Sequence, residues 1–187
     1  MDSVYSALIP TAASEVRSEI AQVLENFGES VLMIVANSGA LIRPLRKQER
    51  YAEASPALCH LGIDVDSWPV PPAGLFVVEE RAVYLRSLSP MTIAHEFGHA
   101  LDCALGDGVY FSGIDPEVRR AFLAAQGFVT PYAATGIDEY FAESVRAYVG
   151  VNDLSSLWPS VSRAQLKKVD DAMYEIVAAI FAQDAVA

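Results

Sequence analysis

The chain has 187 residues, 52% of them apolar, and its 13 basic residues against 24 acidic ones give a formal charge of −11. That balance leaves no clustered Lys and Arg for a phosphate backbone, which excludes nucleic acid as the expected partner. The longest apolar run, residues 176 to 182, is far short of the roughly 18 to 20 needed to span a bilayer, so no membrane segment is expected.

The length predicts one domain, residues 1 to 187, with an α/β part to about residue 106 and a helical part from about 107. The first twenty residues carry an acid at position 2, no basic n-region and no continuous apolar h-region. They do not read as a secretory signal, and a cytoplasmic location or delivery by a non-Sec route is expected. From about 13 to 27, Val16, Ile20, Val23, Leu24 and Phe27 have helical spacing, with Gly28 as the stop. The run "VLMIVANSG" (31 to 39) reads as a buried strand, and "PLRKQERYAEA" as a polar helix or loop. "DSWPVPPAG" is an extended connection, because each residue before a proline is pushed out of the helical region. Residues 74 to 88 read as a hairpin turning at Glu79-Glu80-Arg81, and 74 to 78 or 82 to 86 would be an edge able to pair with an extended peptide.

Three segments then share one grammar. Ser89, Pro90 and Gly106 bracket a helix; Asp115, Pro116 and Gly127 bracket a second; Asp138 and Gly150 bracket a third. From Ser162, Leu166, Val169, Met173, Ile176 and Ile180 alternate three and four apart, predicting one long C-terminal helix with an apolar stripe. Cys59 and Cys103 lack CxxC spacing and are read as two buried reduced thiols.

Within the first of those helices lies "TIAHEFGHALD". A turn of 100° per residue sends His95 and His99 from one face about one turn apart, so both imidazoles can reach one Zn2+ ion, while Glu96 is placed to act on a water there. This is the HExxH arrangement, in which two histidines bind zinc and the glutamate is general base. Such a site needs a third protein ligand. His60 is remote in the chain, and Asp102, seven after His95, suits an outer acceptor or a bond to a neighbouring helix. In "DEYFAESVRAYVG", Glu139 and Glu143 stand four apart among residues that read as buried, where an acid is costly unless paired or metal-bound. Glu143, in mid-helix, is the expected ligand; Glu139, in the first turn, suits the helix dipole.

"HEFGHALD" followed about forty residues later by "DEYFAESVRAYV" resembles the gluzincin-type metallopeptidases of the anthrax lethal factor catalytic domain and the Pro-Pro endopeptidases, over about residues 72 to 150. The resemblance implies an α+β, zincin-like fold with a small mixed sheet, an active-site helix and a mainly helical C-terminal half. It implies His95, His99 and Glu143 on zinc, with Glu96 as base. In that family a tyrosine about seven residues before the third ligand stabilises the oxyanion. Counted from Glu143 that place is Gly136, so the sequence departs from the pattern; Tyr132 is the expected replacement and Tyr140 the fallback.

The expected function is therefore a zinc-dependent endopeptidase acting on peptide or protein substrates, basic ones being favoured by net charge. Two alternatives stand beside it. One is a non-peptidase zinc amide hydrolase such as a deformylase, with Cys59 as the upstream ligand. The other is a catalytically silent binding protein of the same fold, an effector scaffold or inhibitor. Oligomeric state is not written in the sequence.

Overall fold

The computed structural model describes residues 2–182. Helices α1 (Asp2–Leu8), α2 (Ser14–Leu24) and α3 (Glu29–Asn37) come first, followed by strand β1 (Leu41–Pro44) and the short helices α4 (Tyr51–Ala54) and α5 (Pro56–Leu61). Strands β2 (Gly74–Val77) and β3 (Ala82–Leu85) lead into α6 (Pro90–Leu105), then α7 (Phe111–Ile114), α8 (Pro116–Ala124), α9 (Ile137–Val149), α10 (Arg163–Val169) and α11 (Asp171–Phe181). No helix of the described residues is long and apolar enough to cross a membrane.

The sheet is mixed, in the order β1-β3-β2: β1 runs parallel to β3, while β2 and β3 form the expected antiparallel hairpin. Its two faces alternate as the strand period requires. Ile42, Phe76, Val83 and Leu85 enter the main core, and Val77, Ala82 and Tyr84 join a smaller cluster with Tyr51, Leu58 and Val65. The turn at residues 78–80 is a short 3-10 segment that closes through Arg81 in the left-handed region (φ 49°). Because β3 is central, 82 to 86 is no edge; of the hairpin's two strands, β2 is the one at an edge of the sheet.

Helix α6 has two working faces. Ile93, Ala94, Phe97 and Leu101 are buried in the main core, where Phe97 meets Phe27 edge-on with ring centroids 4.7 Å apart. The other face turns towards α9 and β2. Gly98 makes the crossing with α9 possible, since a side-chain carbon there would sit 3.0 Å from the Ala142 Cα. Gly74 does the same for β2: a side-chain carbon there would lie 2.5 Å from Glu96 Cγ and 2.8 Å from Thr92 Cγ2.

Several expectations change. Residues 31 to 39 are not a strand but most of α3, with Val31, Leu32 and Val35 buried and Met33 exposed. A short apolar run fits either period, and here α3 packs against α1 and α6 as a helix. The third bracketed helix starts at Ile137 after Gly136, one residue before Asp138, and α8 ends at Ala124, short of Gly127. The C-terminal helix is two. Asp170 leaves helical geometry (φ −149°, ψ 86°), accepts the Met173 N–H at 2.9 Å as the cap of α11 and takes the Tyr140 hydroxyl, while Val169 turns outward. Of the two free cysteines, Cys103 is buried but Cys59 is exposed.

Candidate metal centre

Pro90 at the first position of α6 and Gly106 at its end hold the expected helix in register. Ser89 precedes it, though its hydroxyl donates to Asp153 at 2.7 Å instead of capping the helix. On the cleft face, His95 Nε2 and His99 Nε2 lie 3.2 Å apart. The Glu139 carboxylate on α9 completes a triangle, its Oε2 standing 3.0 Å from His95 Nε2 and 3.3 Å from His99 Nε2. Tetrahedral zinc with bonds of roughly 2.0 to 2.1 Å spaces its ligands about 3.3 Å apart, so this donor set fits such an ion. Glu139 Oε2 is buried and makes no well-directed hydrogen bond, although both imidazoles are near it. Among the described residues, these three are the group that could hold a metal.

Glu143, the expected third ligand, is placed otherwise. It meets the opposite edge of the His95 ring, with Oε1 2.9 Å from Nδ1. Both its oxygens are engaged: Arg146 Nε donates to Oε1 and Nη2 to Oε2, each at 2.9 Å, and Thr130 donates to Oε2 at 2.6 Å. With Nδ1–H donating to Glu143, the His95 Nε2 lone pair is directed towards the triangle, the arrangement in which a carboxylate orients a ligating imidazole. The change of role resolves the tyrosine as well. Counted from Glu139, the seventh residue upstream is Tyr132. Its hydroxyl donates to Glu139 Oε1 at 2.9 Å, and its ring centroid is 5.6 Å from that of His95.

The remaining candidates separate cleanly. Asp102 is fully buried and binds the neighbouring α7, accepting the Ser112 N–H at 2.7 Å and the Ser112 hydroxyl at 2.6 Å. Tyr140, the fallback for the oxyanion, is packed between Phe122 and Phe128 with its hydroxyl on Asp170. Cys59 and His60 are exposed on α5 and do not join the metal-binding group. The sequence reading missed Thr130 and Trp158.

The electrostatics follow from burial set against opposite charge. Without a cation at the triangle, burial lowers the His95 imidazolium, but the adjoining Glu139 and Glu143 carboxylates and the nearby Glu96 charge hold it up to about 10. Burial raises the Glu139 carboxyl, yet the two imidazoles outweigh it and hold this acid well below the usual range. Glu143 is likewise lowered against its burial, by His95 and Arg146. Glu96 goes the other way: burial raises it, against the pull of His95 and His99. The site thus contains two firmly ionised carboxylates and one with a raised affinity for protons.

His95, Glu96 and Glu143 line a cleft of about 540 Å³ between β2, the segment 68–73, Tyr132 and Trp158. Its walls away from the imidazoles are apolar, with Trp68, Val70, Pro71, Pro72, Met91 and Trp158.

No family model matches the sequence, and no curated protein is significantly similar to it. In three dimensions the chain is similar to a Pro-Pro endopeptidase (PPEP-2) from Paenibacillus alvei, with a TM-score of 0.65 and 21% identity over 95% of this chain and 99% of that one. The mixed α+β fold of this chain is therefore the fold of that protein.

Proposed function

We propose that this chain is a zinc-dependent endopeptidase. The observation that carries the reading is the triangle of His95 Nε2, His99 Nε2 and Glu139 Oε2, with sides of 3.0 to 3.3 Å, which meets a cleft at His95 beside Glu96. The name of the similar structure adds support, since it describes an enzyme that cuts peptide chains internally.

His95, His99 and Glu139 would hold the metal, with Glu143 orienting His95 from behind. A divalent cation held there would supply Lewis-acid chemistry, a more acidic water and a polarised scissile carbonyl. Glu96 accepts the proton that this water loses as its oxygen bonds to the carbonyl carbon. It then returns that proton to the amide nitrogen as the C–N bond breaks, leaving a carboxylic acid and an amine. Its raised proton affinity suits both halves of that transfer. Tyr132 can turn its hydroxyl from Glu139 to the developing oxyanion. An extended substrate pairs with the free edge of β2, where Gly74 lets the strand lie against Glu96. The outer walls of the cleft favour apolar side chains of the substrate.

The test is metal content of the purified chain, with chelator-sensitive cleavage of casein or a peptide library. Glu139→Ala should lose most of its zinc, Glu143→Ala should bind it about ten to a hundred times more weakly, and Glu96→Ala should keep it while turnover disappears. Full zinc occupancy after Glu139→Ala, or cleavage that resists chelation, would overturn the assignment.

A further inference from the structure

Arg146 is the largest fully buried side chain of the described residues. A buried guanidinium is tolerated only when its donors are used, and here they divide between two structures. Nε and Nη2 hold Glu143, the carboxylate behind His95. Nη1 donates to the Val151 carbonyl at 3.2 Å and to Asn152 Oδ1 at 3.4 Å. Asn152 closes the loop 152–161 at its base: its Nδ2 donates to the Val161 carbonyl at 2.9 Å, and its Oδ1 accepts the Val161 N–H at 2.7 Å. Beyond that pinch the loop has a second tie at Asp153, which accepts the Ser89 hydroxyl at 2.7 Å, while Leu154 and Leu157 are fully exposed. Yet it carries Trp158, which stands edge-on to Tyr132 with ring centroids 6.0 Å apart and forms a wall of the cleft.

We propose that Arg146 is a positioning residue that ties the loop 152–161, and with it the Trp158 wall, to the carboxylate supporting His95. One planar fork serves both branches, and a lysine ammonium, lacking the fork geometry, cannot replace it. The coupling stands on the hydrogen bonds alone; only its consequence for substrate rests on the peptidase reading. In that reading Trp158 shapes the side of the cleft that Tyr132 faces, and releasing the loop weakens peptide binding without altering the reacting groups.

The two branches can be cut separately. Asn152→Ala removes the Asn152 end of the loop branch together with its clasp on Val161, and leaves Arg146 on Glu143 and the Val151 carbonyl; Arg146→Lys keeps the charge and loses the fork. With Trp68→Phe added so that Trp158 is the sole tryptophan, acrylamide quenching reads the loop and chelator competition with Zn2+ alone reads the His95 end. Asn152→Ala should raise quenching roughly twofold, as expected for a locally released segment, with zinc affinity unchanged. Arg146→Lys should raise quenching similarly and weaken zinc by about tenfold. Unaltered quenching in both, with native circular dichroism, overturns the coupling. Asn152 lies partly at the surface, so if Arg146→Lys does not fold, unaltered quenching in Asn152→Ala still overturns the coupling. In the wild-type tryptophan background, Asn152→Ala should raise KM several-fold at constant kcat and add nothing once Trp158→Ala is present. Additive effects on KM would overturn the route through Trp158. Wild-type protein without chelator-sensitive cleavage would sink the peptidase reading, and quenching would still decide the coupling.

Discussion

Tyr132 touches the centre twice, through its hydroxyl on Glu139 and its ring beside His95. Removing only the hydroxyl tests the proposal that it stabilises the oxyanion. Tyr132→Phe should lower kcat by about a hundredfold with little change in KM or zinc content, measured by steady-state kinetics and metal analysis. Asp102 offers a second test at this scale, on stability. Burial raises its carboxyl from 3.8 to about 6, against two hydrogen bonds from Ser112 and the pull of His99. Between those values the folded chain keeps a proton that the unfolded chain has released. The contribution of this group is therefore complete below about pH 4 and is lost as pH rises through 6. Asp102→Asn cannot titrate, so its stability relative to wild type should climb by something on the order of 3 kcal/mol between pH 4 and 7 in denaturant melts. A flat difference would contradict this. His95, His99 and Glu96 were legible because their spacing is itself the chemistry. Glu139 and Glu143 were not separable by helical period, which sets both on one stripe; the signals that do separate them are Tyr132 seven before the one and Arg146 three after the other.

At the level of elements, the centre depends on two close approaches that only glycine permits. Gly98 lets α6 meet Ala142 on α9, and thereby decides whether Glu139 reaches the imidazoles. Gly98→Val should force the helices apart, costing roughly 1 to 3 kcal/mol for overpacking and weakening zinc more than its distance from the ligands would suggest. Gly74→Ala crowds Glu96 and Thr92 instead, so it should reduce kcat while zinc remains bound. If the two variants changed metal affinity alike, the division of labour between α9 and β2 would be wrong. The capped helices and the hairpin were readable because their stops and turns are local chemistry. The helix at 29–37 was not: six apolar residues in a row carry no period, and only the neighbours α1 and α6 select the helix. The break at Asp170 was hidden for a related reason. Its cap bond to Met173 is local, but the Tyr140 hydroxyl that holds its other oxygen comes from thirty residues away.

Across the whole molecule, α6 is the shared member, packing against α2 and α3 on one side and against α9 and β2 on the other. The donor triangle takes two atoms from α6 and one from α9, so an ion bound there joins elements that are far apart in the chain. Binding to the folded state alone stabilises it by about 4 kcal/mol at a thousandfold excess over Kd. For a chain of 187 residues each kcal/mol shifts the melting temperature by about 2 to 4 °C. Saturating Zn2+ should therefore raise Tm by roughly 10 °C over the chelated protein, and Glu139→Ala should lose nearly all of that rise. Glu143→Ala should keep part of it at higher zinc concentration, because its carboxylate orients His95 without supplying the link between α6 and α9. The order of these two losses distinguishes the ligand from its support without any substrate: an equal loss in both would make Glu143 as much a part of the metal site as Glu139. Charge alone cannot mimic the result, since a general response of a −11 molecule to divalent cations would persist in Glu139→Ala and fade with added salt.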